Sequence, residues 1–337
     1  MLFKICLVAL LWTYNTSANP SQSSKRCWKT LAPIKGGRRQ EHSVVASGDT
    51  IYILCGLRPG KKSEDTTAAV EAYNTKTNTW TELAPAPLPL HHANVAAVDG
   101  KIYVLGGIAG TIMDGEPTGR SFRYDIAAKK WMDIAKMPSG LGSAAMGVHG
   151  KKIYLAGGIR RGTSSVTGPG YFIVGDVASY DTETDKWTKH PELSLPEDRD
   201  HSGGMVVDDT FYVVGGRVGN QFSNRKTVYA LKLTAPNRKW MEMAPLPYTR
   251  GGIAAAATGG KIYAFGGEGN GLNPNGTFPE VGIFDIARNR SEAGTPMPYP
   301  RHGFGAVAIK DVIYLPGGGL RMGGGGMSDV NDAYVPC

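Results

Sequence analysis

Histidine is concentrated at one recurring position of the sequence. Five of the seven histidines precede a repeated hydrophobic run, namely His42, His91, His92, His201 and His302. Counted back from the tyrosine of that run, Glu41, His92 and His201 share one register. A carboxylate with two imidazoles could bind zinc or copper, or transfer protons near pH 7. The alternative is hydrated polar side chains at the mouth of a channel, and on this interpretation we expect no metal, cofactor or catalytic residue.

Arginine recurs beside the histidines. The guanidinium presents a planar set of donors that suits a carboxylate or a sulfate. The residues predicted to bind are Arg39, Arg199, Arg250 and Arg301 from the repeated position, Arg58, Arg160, Arg161, Arg217 and Arg321 from the segments between repeats, and His92, His201 and His302. The alternative for the four repeated arginines is structural, since they could bond backbone carbonyls and support neighbouring repeats.

These residues belong to a sixfold repeat. A tyrosine-containing hydrophobic run is followed each time by a pair of small residues: Cys55-Gly56, Gly106-Gly107, Gly157-Gly158, Gly215-Gly216, Gly266-Gly267 and Gly317-Gly318. Consecutive pairs lie 51, 51, 58, 51 and 51 residues apart. A period of this length accommodates one four-stranded sheet and is typical of radially repeated folds.

The order Gly-Gly, then an aromatic residue such as Tyr73, then a tryptophan such as Trp80, resembles the Kelch repeat from Cys27 to Cys337. The resemblance implies an all-β fold, a six-bladed β-propeller of four-stranded antiparallel blades that forms a single domain over 27–337. The expected bounds are 39–85 for blade 1, 90–137 for blade 2, 141–193 for blade 3, 199–245 for blade 4, 250–297 for blade 5, and 301–337 with 27–33 for blade 6.

The two ends of this region are expected to build one blade together. The sixth repeat lacks a fourth strand, and the segment Cys27–Pro33 matches the fourth strand of the first repeat. Cys337 and Cys27 then correspond to Lys76 and Thr79 of an intact repeat, which flank a tight turn. Residues three apart across a β-turn have Cα atoms within about 7 Å, so we predict a disulfide between Cys27 and Cys337.

The N-terminus predicts export. Lys4, an apolar run over 5–12 and small residues up to Ala18 indicate a secretory signal peptide over 1–18, followed by an extension over 19–26. We therefore expect a secreted, extracellular protein without membrane insertion, because a spanning helix needs about 20 apolar residues. Asn275 and Asn289 each begin an N-glycosylation signal.

Function is predicted from the loop face, the side of the ring that carries the loops joining the second and third strands of each blade and the turns joining the fourth strand to the next blade. These loops are long and rich in arginine, and the net charge of the chain is +8, so they favour an acidic partner. The Kelch resemblance implies a binding platform, and we expect a monomeric secreted recognition module for an acidic protein segment or an anionic glycan. Nucleic acid is disfavoured because the chain is exported and lacks a basic segment interleaved with aromatic residues.

An enzyme is the alternative. The chain is similar to exported sialic acid mutarotases, which would need an arginine such as Arg39 or Arg199 and an acid/base residue such as Glu41 or His201. A copper enzyme resembling galactose oxidase is less favoured, because the sequence has no Tyr-His dipeptide. Its one mature cysteine outside the expected disulfide, Cys55, lies in a turn and is expected to be an inert thiol.

Overall fold

The computed structural model describes residues 27–60, 64–164 and 168–337. The predicted signal peptide and the extension after it lie outside these residues. The described residues contain six four-stranded antiparallel sheets, which confirms the predicted six-bladed propeller. Within the described ranges, no helix is long and apolar enough to cross a membrane.

Each blade is built from four strands, which we name a to d from the centre outwards. Their bounds are Ser43–Ser47, Thr50–Leu54, Val70–Asn74 and Thr79–Leu83 in blade 1; Val95–Val98, Lys101–Ala109, Glu116–Asp125 and Lys130–Ile134 in blade 2; Ala145–His149, Lys152–Ala156, Val177–Asp181 and Lys186–Lys189 in blade 3; Gly203–Val207, Thr210–Val214, Val228–Lys232 and Trp240–Met243 in blade 4; Ala254–Thr258, Lys261–Phe265, Val281–Asp285 and Arg290–Gly294 in blade 5; and Val307–Ile309, Val312–Pro316, Asn331–Tyr334 and Trp28–Thr30 in blade 6.

The apolar b strands form the core between blades. Tyr52 and Leu54 of blade 1 share one buried cluster with Ile102 and Val104 of blade 2, so each sheet buries a face against its neighbour. The innermost strands contact one another in sequence, and Val307–Ile309 of blade 6 contacts Ser43–Ser47 of blade 1. The ring is therefore closed.

Closure joins the two ends of the propeller, as predicted. Strand d of blade 6 comes from the N-terminal segment, with Trp28 paired to Tyr334. The disulfide between Cys27 and Cys337 is present, with Cα atoms 5.6 Å apart. It replaces the missing turn between strands c and d.

Two additional hairpins lie between strands b and c, and the sequence did not predict them. Leu57–Pro59 pairs with Glu64–Thr66 in blade 1, and Ile159–Ser164 pairs with Gly168–Ile173 in blade 3. In blade 2, strands b and c themselves extend into this region, with a bulge between Thr118 and Ser121. These extensions contribute residues such as Ile108, Ile159 and Ile173 to the wall of a central cavity.

Candidate functional site

One residue from each blade contributes to a central ring just before strand a. Its members are Glu41, His92, Ser143, His201, Gly252 and Gly303, all with φ between 50° and 68°. This left-handed conformation costs a non-glycine residue about 1–2 kcal/mol. Such strain persists only where the surrounding structure imposes it, and it is common at functional sites.

Hydrogen bonds close the ring. The backbone N–H of Glu41 donates to the carbonyl of Gly303, and that of His92 donates to the carbonyl of Glu41. Equivalent bonds link Ser143 to His92, Gly252 to His201 and Gly303 to Gly252. The remaining link is a bond from the N–H of His201 to Ser143 Oγ, at 3.2 Å. The backbone thus fixes the directions in which the side chains leave the ring.

The structure brings together the three residues that the sequence places in one register. Nε2 of His92 lies 3.0 Å from Oε2 of Glu41 and 2.9 Å from Nε2 of His201. The ligand atoms that these three residues offer all lie within 4.8 Å of one another.

The pKa values of the cluster follow from burial and from mutual interactions. Burial alone would raise the pKa of Glu41, but the charge and hydrogen bond of His92 hold it well below its usual value. Burial lowers the pKa of His201, and the charge of Arg217 lowers it further. Burial likewise lowers the pKa of His91 to about 3, with His92 contributing. At neutral pH, Glu41 is therefore a carboxylate and both His91 and His201 are neutral.

Asp200 and Glu268, which the sequence did not single out, complete the cluster together with Arg217, which is among the residues predicted to bind. Nε of Arg217 donates to Asp200 at 3.2 Å, and Nη1 donates to Glu268 at 2.7 Å. Asp200 also lies 3.2 Å from Nδ1 of His201. Glu268 directly follows the Gly-Gly pair of blade 5, as Arg217 follows that of blade 4, and this shared position could have identified Glu268 in the sequence.

The cluster forms the polar part of a cavity of about 480 Å³. One wall is apolar and comes from blades 2 and 3, with Ile108, Ile112, Met113, Ile159, Tyr171 and Ile173. Among the described residues, four carboxylates (Glu41, Glu64, Asp200 and Glu268) line the cavity with a single guanidinium, that of Arg217. At the centre of the described structure the carboxylates therefore outnumber the cations, which differs from the basic surface expected of the loops.

The four repeated arginines do not reach this cavity. Arg39, Arg199, Arg250 and Arg301 are each 0% exposed. They bind groups inside their blades, such as Glu71 for Arg39, Glu280 O for Arg250 and Asp332 for Arg301. Their geometry matches the structural alternative and corrects the prediction that they contact a ligand.

Three of the predicted arginines between repeats lie beside acidic side chains. Arg58 lies 3.8 Å from Glu71. Arg160 pairs with Asp176 at 2.7 Å, and Arg161 pairs with Glu116. Arg321 is exposed, and its carbonyl accepts a hydrogen bond from the buried His302 at 2.7 Å.

The side chains of Asn275 and Asn289, the two predicted glycosylation sites, are exposed.

Fold and site together define a six-bladed propeller with a central amphipathic cavity. The sequence matches the KLHDC2/KLHL20/DRC7 Kelch-repeats domain over residues 11–209 and 168–318. The chain therefore belongs to the Kelch-repeat family.

Known proteins of this family are similar over most of the chain. It is 41% identical over 308 residues to Kelch-like protein terF of Aspergillus terreus, which covers 88% of this chain and 65% of that protein. Identity to Beta-scruin of Limulus polyphemus is 24%, covering 87% of this chain and 32% of the relative. The chain spans less than two thirds of the length of these relatives. The solved structure titled "Structure of YjhT" superposes with a TM-score of 0.73 at 19% identity, covering 90% of this chain and 96% of that one, which shows the shared fold.

Proposed function

We propose that the protein is a secreted recognition module that binds its ligand in the central cavity of the loop face. The observation that carries this proposal is the cavity itself, about 480 Å³ in volume, with an apolar wall and a polar floor. Concave sites of this size and composition are typical of ligand binding. Kelch propellers typically bind proteins, so the ligand is a segment of an extracellular protein or a glycan attached to one.

The charge of the cavity selects the ligand. An acidic group entering it would meet Glu41, Asp200 and Glu268, and this juxtaposition of like charges costs affinity. An amine, a guanidinium or a set of hydroxyl groups would instead find acceptors. The proposed ligand therefore has an apolar part that contacts Ile108 and Ile159 and a cationic or hydroxyl-rich part that contacts the floor.

Binding is tested on arrays of cationic peptides, acidic peptides, neutral glycans and anionic glycans. Ile159→Trp fills the cavity, while Met241→Trp places the same side chain on an exposed strand d. We expect selective binding of a cationic or neutral probe, lost in the first variant and kept in the second. Selective binding of acidic probes, or equal binding by both variants, contradicts the proposal.

Secretion and glycosylation are tested together. Expression of the full chain in eukaryotic cells should give protein in the medium that begins near residue 19 and shifts in mass when N-glycans are removed enzymatically. Retention of the whole protein inside the cells contradicts this part of the proposal.

Acid/base catalysis on a sugar is the second candidate, and the convergence of Glu41 and His201 favours it. With Arg39 and Arg199 buried, the arginine available to a substrate carboxylate is Arg217, 3.1 Å from His201. Proton NMR of sialic acid anomers tests this candidate: faster interconversion with the protein than with its Glu41→Gln variant supports it, and equal rates exclude it. A galactose-oxidase-like reaction has no such support, since Cys55 is 0% exposed and burial raises the pKa of its thiol to about 12.

A further inference from the structure

The central ring brings together three atoms that can act as metal ligands. Nε2 of His92 lies 2.9 Å from Nε2 of His201 and 3.0 Å from Oε2 of Glu41. Tetrahedral zinc with bonds of about 2.0–2.1 Å places its ligand atoms about 3.3 Å apart. Side-chain shifts of a few tenths of an ångström would therefore admit a cation.

Donors and acceptors around His91 determine where the protons lie. His91 Nε2 lies 3.2 Å from the carbonyl of Thr111, which can only accept, so His91 carries its proton on Nε2. His91 Nδ1 must then accept from Nδ1 of His92, 2.6 Å away. When His92 gives up the Nε2 proton that it otherwise donates to Glu41, it therefore keeps a lone pair on Nε2.

The same reasoning gives His201 a lone pair on Nε2. Its Nδ1 faces Oδ2 of Asp200 at 3.2 Å and Oγ of Ser143 at 3.0 Å, so Nδ1 carries the proton. Its Nε2 accepts from the guanidinium of Arg217 at 3.1 Å. Two imidazole lone pairs and a carboxylate oxygen then converge, and three acceptors at such distances require a cation between them.

We infer that Glu41, His92 and His201 form a binding site for a divalent transition-metal ion of the zinc type. Two histidines and a carboxylate are a common zinc set that leaves a fourth position for water or a ligand group. The second nitrogen of each histidine is already held, that of His92 by His91 and that of His201 by Asp200, as is typical of metal-binding histidines. This inference departs from the expectation of no metal and does not depend on the identity of the cavity ligand.

The positive charge of Arg217 repels a metal ion at this site, and its removal provides a further test of the inference. Its guanidinium loses its contact to His201 when a metal binds, but it keeps Asp200 and Glu268. Removal of this positive charge should strengthen metal binding.

The experiment titrates the chelator-treated protein with Zn²⁺ by calorimetry and with Co²⁺ by visible absorption. His92→Gly and His201→Gly suit the left-handed backbone, because blades 5 and 6 have glycine at the same ring position. His149→Ala, a histidine of strand a in blade 3 that binds Asp209, is the matched control. Thermal melting verifies that each variant is folded.

We expect one Zn²⁺ per chain, a tetrahedral Co²⁺ spectrum, and affinity reduced about 100-fold or more by either glycine variant, with no change in His149→Ala. Asp200→Asn should weaken binding about 10–100-fold, and Arg217→Gln should strengthen it. The inference is overturned if the unsubstituted protein binds no Zn²⁺, which would leave a proton on His92 as the bridging cation, or if the folded glycine variants bind as it does.

Discussion

Trp80 of blade 1 donates its indole N–H to the backbone carbonyl of Ala32, 3.0 Å away in blade 6. The tryptophans of four other blades make the same bond to the blade before them: Trp28 to Thr295, Trp131 to Ala84, Trp187 to Ala135, and Trp240 to Leu193. Blade 5 has Ser291 at this position, and its hydroxyl lacks a hydrogen-bond partner among the described residues. The boundary between blades 4 and 5 therefore lacks a link that the other boundaries have.

The substitution Ser291→Trp should restore that link. The new indole would reach the carbonyl of Ala244 and add a hydrogen bond of about 1 kcal/mol together with apolar burial. We expect a higher melting temperature by calorimetry, on the order of 2 °C or more. Ser291→Phe, which adds a ring without the N–H, is the control. A melting temperature of Ser291→Trp at or below that of the original protein would show that the position cannot accept the indole.

Replacing Arg301 should destabilise the protein because it leaves the buried carboxylate of Asp332 unpaired. Arg301 donates to Asp332 at 2.8 Å with both side chains buried, and Arg301→Leu leaves that carboxylate without its cation. The expected loss is about 3–5 kcal/mol in denaturant unfolding.

The control for Arg301 follows from the repeat itself. Blade 2 has Leu90 and Phe122 at the two equivalent positions, so an apolar pair is tolerated there. Arg301→Leu combined with Asp332→Ala should regain much of the lost stability. Equal destabilisation by the single and double variants would show that the unpaired Asp332 carboxylate does not cause the loss.

Reduction of the disulfide between Cys27 and Cys337 should lower stability by about 2–5 kcal/mol. The bond fastens the N-terminal strand of blade 6 to its neighbour and so closes the ring. Melting curves with and without reductant measure the effect, and the Cys27→Ser/Cys337→Ser variant should be insensitive to reductant. An unchanged curve for the original protein, once a thiol assay shows reduction, would contradict this role.

Two ring glycines should differ in their effect on metal binding. A Cβ at Gly303 would overlap Oε1 of Glu41, whereas at Gly252 the nearest atom is Cγ of Glu268, 3.3 Å away. Both substitutions to alanine incur the cost of a left-handed backbone, about 1–2 kcal/mol. Only Gly303→Ala should weaken Zn²⁺ binding, because it displaces the carboxylate. Equal Zn²⁺ affinities of the two variants would argue against Glu41 as a ligand.

Much of the candidate site could be predicted from the sequence repeat. The register counted from tyrosine placed Glu41, His92 and His201 together because equivalent positions of a closed ring face the same axis. The role of the repeated arginines was also partly encoded. Blades with Arg39, Arg199 or Arg301 two residues before the ring have a hydrogen-bonding residue two positions before the strand-c aromatic, namely Glu71, Thr227 and Asp332. Blades 2 and 3, which have Leu90 and Leu141 in place of the arginine, have the apolar residues Phe122 and Ala178 at the second position.

The sequence by itself determined the number of blades, the strand that closes the ring and the disulfide, because spacing and turn residues dictate which strands pair. Only the tertiary structure decided which charges reach the cavity. Exposure depends on how neighbouring blades pack, and this packing buries Arg39 and Arg301 while leaving Asp200, Arg217 and Glu268 at the floor. Asp200 and Arg217 flank strands a and b of blade 4, whereas Glu268 follows strand b of blade 5, so the packing of these two neighbouring blades completes the group.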